Sequence, residues 1–141
     1  MRRFLLAATT LSIAGMMMTD PTHAQTQTPA PAAAKKPVVF ACNLKAMSPA
    51  QRKRHSEVLS PALQSAKRSV NELADGYAFQ FPSDAKTYQT VAEWVANERL
   101  CCPFFNFDIR VGDESAPMTL SITGPDGVKQ FIKAELSGMV G

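Results

Sequence analysis

Apolar residues recur along the chain with two different periods, and the switches between them lay out the elements. A short β-branched run, Pro37-Val38-Val39-Phe40-Ala41-Cys42, predicts a first strand over 37–42. Ser48-Pro49-Ala50-Gln51 then carries a helix start: a capping hydroxyl, a proline suited to the first helical position and a glutamine that can reach back. Beyond it His55, Val58, Leu59, Ala62, Leu63 and Ala66 fall at spacings of three and four, so they share one inward face. Gln51, Arg52, Lys53 and Glu57 lie mostly off that face, and Pro61 is placed to bend or interrupt the helix.

The period then shortens to two. Asp75-Gly76 favours a tight hairpin turn, with 69–74 as the strand before it. After it Tyr77, Phe79 and Phe81 alternate with Ala78 and Gln80. Ser83 is the expected cap of a second helix over 84–102, with Tyr88, Val91, Val95, Glu98 and Cys102 along one side and Ala92 and Trp94 widening it. Pro103 ends that helix, because a residue before proline is pushed out of the helical region. A third strand sets Phe105, Phe107, Ile109 and Val111 opposite Asn106, Asp108 and Arg110. A fourth sets Met118, Leu120 and Ile122 opposite Thr119, Ser121 and Thr123. Gly124-Pro125-Asp126-Gly127 breaks it, and Asp126 is the expected cap of a last helix turning Val128, Phe131, Ile132 and Leu136 inward. The order β-α-β-β-α-β-β-α predicts an α+β two-layer sandwich: an antiparallel sheet of about four or five strands with helices on one face.

The 141 residues, 45% hydrophobic and 19% charged, suit one globular domain and exclude a disordered chain. The N-terminus has a different character. Arg2 and Arg3 precede an uncharged apolar stretch over 4–18, and Thr22-His23-Ala24 offers a small-x-small cleavage site. Residues 1–24 therefore read as a signal peptide for the general secretory route, the apolar run being short of the roughly 20 residues that span a bilayer. Residues 25–36 are a Pro/Ala-rich flexible linker, and 37–141 form the single domain. The expected location is periplasmic or secreted, with no stable membrane span once the signal is cleaved.

Removing 1–24 takes away Arg2, Arg3 and Asp20, leaving 13 basic and 11 acidic residues. The basic clusters Arg52-Lys53-Arg54 and Lys67-Arg68 lack interleaved aromatics, so they read as a solvated helix face and not as a nucleic-acid surface. Walker, dinucleotide, G-x-S-x-G and zinc-protease motifs are all missing from the sequence.

Chemistry concentrates in Glu98-Arg99-Leu100-Cys101-Cys102-Pro103-Phe104. A carboxylate falls on the apolar face of its helix, and two adjacent cysteines follow at the helix end. A buried carboxylate needs a partner, and Arg54, His55, Arg99 or a ligand are the candidates. Cys42 is the third cysteine, and His55 is the one histidine left after cleavage. Thiolates with an imidazole hold soft ions, so the sharpest reading is a binding protein with a site of Cys42, Cys101, Cys102 and His55 for a thiophilic metal or metalloid, supported by Glu98, Arg54 and Arg99.

Two other readings stand beside it. In an oxidising compartment Cys42 can pair with Cys101 or Cys102, giving a disulfide-clamped structural or interaction module whose partner is another protein. Alternatively the pair Cys101-Cys102 does thiol-redox work. Against that, the negative end of the helix dipole disfavours thiolate unless Arg54, Arg99 or His55 compensates. On balance no catalytic residue is expected.

Overall fold

The computed structural model describes residues 39–141. The signal and linker readings over 1–36, with Pro37 and Val38 of the expected first strand, lie outside the described residues. The described chain is α+β. Four strands, β1 (Ser69–Leu73), β2 (Gly76–Phe81), β3 (Asn106–Arg110) and β4 (Met118–Thr123), form one antiparallel sheet in the order β1-β2-β4-β3. Five helical segments accompany them: α1 (Pro49–Arg54), α2 (Ser60–Ala66), α3 (Ala85–Cys101), α4 (Val128–Glu135) and α5 (Ser137–Val140), with a 3-10 turn at Leu44–Ala46.

The alternation in the strands is what builds the core. Directly opposed residues of antiparallel strands share a face. Val70, Phe79, Leu120 and Ile109 thus form one cross-strand row, and Tyr77, Ile122 and Phe107 belong to the next. Phe79, Phe81, Met118, Leu120 and Ile122 are fully buried there with Trp94, Leu59, Leu63 and Ile132 from the helices. A large-to-small change at any of these positions removes packing that the rest of the fold cannot replace.

Several local expectations are corrected. Residues 39–42 form no strand. Phe40 instead packs against Phe104 and Phe131, at ring-centroid distances of 5.0 and 5.6 Å, so the segment is held by side chains rather than by a ladder. Ser48 and Gln51 do form the reciprocal capping box. Pro61 does interrupt its helix, and the form of the break is a π-helical turn over His55–Leu59 between α1 and α2. A proline ring cannot accept the normal helical neighbour four residues back, and a widened turn makes room for it. The extra residue in that turn rotates the helix face. His55, Leu59 and Leu63 stay inside, whereas Val58 is 49% exposed.

The hairpin turn also differs. Leu73 pairs with Gly76, so the two loop residues are Ala74 and Asp75 and the glycine begins β2. Gly76 is needed for close approach: a Cβ there would sit 2.0 Å from the Ile122 carbonyl oxygen. Asp84, not Ser83, caps α3 by accepting from the Thr87 N–H at 2.9 Å, and Ser83 donates to the Ala116 carbonyl. Gly127, with φ of 93°, replaces Asp126 as the residue before α4, because the chain turns there through a left-handed conformation.

Candidate metal centre

The site is assembled where α3 ends. Glu98, Cys101 and Cys102 are separated by three and four residues, so the helix sets them on one side. Cys102 donates its N–H to the Glu98 carbonyl at 2.7 Å and then leaves the helix at φ −121°, ψ 72°, outside the helical region that Pro103 disfavours for the residue before it. The exit leaves both cysteine side chains inside the protein.

The segment from Phe40 to Met47 crosses this helix end as a strap. Asn43 donates its N–H to the Cys101 carbonyl at 2.8 Å, satisfying one of the carbonyls a helix C-terminus leaves open. The Phe40 ring anchors one end of the strap on Phe104 and Phe131, and buried Met47 anchors the other. Between them Cys42 is carried to Cys102, sulfur to sulfur at 2.8 Å. The three Sγ atoms of Cys42, Cys101 and Cys102 all lie within 4.8 Å of one another, a cluster able to hold a metal ion. Two of its thiols are buried and the third is open to solvent.

All three cysteines are free. The 2.8 Å contact is well beyond the roughly 2.05 Å of a disulfide bond, so the expected clamp is not formed in this structure. Burial pushes the Cys101 thiol up to about 12, with Cys42 and then Glu98 adding to the shift. Burial pushes Cys102 up as well, followed by its contact with Cys42 and the nearby Glu98. Protonated, low-reactivity thiols are the result at neutral pH, the opposite of what a fast thiol nucleophile needs.

The remaining candidates divide cleanly. His55 lies outside the sulfur cluster, with its Nε2 2.9 Å from Glu98 Oε2, and is the partner that the buried carboxylate has found. Its ring stacks on Trp94 at 5.5 Å and 20°, and Trp94 in turn donates its indole N–H to Ser60 Oγ at 3.0 Å. Arg54 is elsewhere, in an exposed ion pair whose Nη2 donates to Glu93 at 2.7 Å. Arg99 is exposed. Glu98 alone of the three supporting residues stands beside the thiols.

Sequence reasoning missed the strap. Asn43 acts through its backbone, which leaves no trace in residue type, and the β-branched run around Phe40 points to a strand instead. The stacking role of Trp94 was missed too, although its place four residues before Glu98 on α3 was a usable signal. Among the described residues no helix is long and apolar enough to cross a membrane. The chain matches no protein-family model, no curated protein and no solved structure.

Proposed function

We propose that this is an exported binding protein that holds one soft, thiophilic metal or metalloid ion through the thiolates of Cys42, Cys101 and Cys102. The observation that carries the reading is the convergence of three sulfurs within 4.8 Å from chain segments sixty residues apart. With metal–sulfur bonds of about 2.3 Å, three ligands around one ion stand roughly 4 Å from each other. That spacing falls within the size of the cluster, and Cys42, on its exposed strap, is the ligand free to adjust.

A three-sulfur donor set favours ions that accept low coordination and soft ligands, such as copper(I) or a trivalent metalloid, over zinc, which takes a fourth ligand. Buried, protonated thiols favour the same ions, since only a strong sulfur binder displaces their protons. His55 and Glu98 take no ligand role here. They fix the end of α3, and Glu98 supplies a negative charge that a bound cation offsets.

The test is anaerobic loading of the reduced protein with copper(I), trivalent arsenic or zinc, followed by metal analysis after desalting. One soft ion per chain, with a sulfur-to-metal charge-transfer band that Cys42→Ser abolishes, is the expected result. Retention no better than in a variant lacking all three thiols would overturn it.

The short Cys42–Cys102 contact supports a second reading. An exported chain meets disulfide oxidants, and transfer of two electrons and two protons from this pair to such an oxidant would join the strap to α3. Thiol counting on protein isolated from an oxidising compartment separates the two: three thiols for the metal centre, one for the clamp.

A further inference from the structure

The two edges of the sheet are treated differently. On β1 the helix-facing Glu72 is engaged by Lys129 of α4. On β3, among the described residues, the helical layer runs out. Ile109 is 40% exposed and the following Val111 is 54% exposed, although both continue the apolar face begun by Phe105 and Phe107. An open groove of about 490 Å³ between α3 and β3, lined by Val95, Arg99, Phe107 and Ile109 among others, extends this uncovered face. A bare edge with an apolar face is a template for another strand.

The residues of β3 select the strand that fits. We infer that β3 is the homodimerisation edge of this protein: two copies join antiparallel about a twofold axis through Ile109, merging their sheets into one. In that register Asp108 stands opposite the second copy's Arg110, and Arg110 opposite its Asp108. Phe107 stands opposite Val111 in the same way. From Phe107 to Val111 every cross-strand pair is then opposite-charge or apolar with apolar, and Asn106 falls opposite the small Gly112.

Neighbouring registers fail this test. An axis through Asp108 sets the two carboxylates against each other, and one through Arg110 does the same to the guanidiniums, both destabilising. A slip by one position on one strand puts Asp108 against Ile109 and mixes the faces. The self-complementarity of Asp108-Ile109-Arg110 is therefore specific to one twofold arrangement, as an isologous contact demands. The strand is short, so the dimer is a weak one that forms in the micromolar range of protein.

Sedimentation of the reduced, metal-free chain over a range of concentrations tests this independently of the metal centre. The wild type is expected to show a concentration-dependent monomer–dimer equilibrium. Arg110→Asp replaces two attractions by two repulsions and should weaken dimerisation about tenfold. The double variant Asp108→Arg, Arg110→Asp reverses both charges on each copy and should restore it. All three side chains on this edge are exposed, so the melting temperature of the variants, measured below the dimer range, should match the wild type. A chain that stays monomeric throughout, a dimer indifferent to Arg110→Asp, or a folded double variant that fails to recover would each overturn the inference.

Discussion

His55 Nε2 sits 2.9 Å from Glu98 Oε2, two buried polar side chains that meet across forty-three residues of chain. The pair ties the π-helical turn to the last turn of α3, immediately before the two buried cysteines. Trp94 stacks on the imidazole and prevents it from swinging away. The thiol doublet thus stands on a helix end whose position is set by a buried polar contact.

Removing one member leaves the other buried without its partner. Glu98→Gln is expected to lower stability by about 1–3 kcal/mol in urea melts, and His55→Ala by a similar amount with the added loss of the Trp94 stack. If the two variants and the double variant all cost the same, the residues act as one unit. Additive losses would show that they do not.

The three cysteines should separate by environment. Cys42 is exposed, so Cys42→Ser should change stability by no more than about 0.5 kcal/mol while removing one of the three sulfurs proposed to hold the ion. Cys102 is fully buried, and a serine hydroxyl placed there without a partner should cost about 1–3 kcal/mol. Thermal melts of the metal-free variants, set beside metal analysis of the loaded ones, distinguish a ligand from a core residue.

Gly76→Ala should be among the most damaging single changes. The added methyl would meet the Ile122 carbonyl at 2.0 Å, inside the β2–β4 ladder at the centre of the sheet. Backbone cannot yield there without parting the strands, so a loss of about 3 kcal/mol or more is expected from denaturant unfolding.

The two-layer architecture, the antiparallel sheet and the meeting of Cys42 with the doublet were legible in the sequence. Period-two runs such as Met118-Leu120-Ile122 state a buried face directly, and the structure buries all three. What was illegible depended on partners distant in the chain. Asp75-Gly76 looks like a turn from local propensity, yet the glycine answers to a neighbouring strand. Arg54, His55 and Arg99 all stand as candidates to pair with Glu98 in the sequence, an ion pair with Arg54 or Arg99 foremost, and only the packing of the helices selects His55. Val58 fits the helical period and still faces solvent, because the π turn shifts the phase of the face after it has begun.

The pH dependence of stability follows from the direction in which burial moves the thiols. The Cys101 value rises from the ordinary 9.0 to about 12, and Cys102 moves the same way. A thiol raised on folding holds its proton more tightly in the native state, so its contribution is fully present below pH 9 and disappears as pH rises toward about 12. Melting temperatures of the metal-free protein should therefore fall across that window, and less steeply in the Cys101→Ser, Cys102→Ser double variant than in the wild type. A bound ion changes the sign at the other end of the scale. It replaces the protons, so its retention should weaken as the solution is acidified, and the loaded protein should melt above the metal-free form at neutral pH by a margin that grows with free ion concentration. Parallel melts of loaded and metal-free protein from pH 5 to pH 8 check this: the gap should narrow toward the acid end because each ligand thiolate must again compete with a proton.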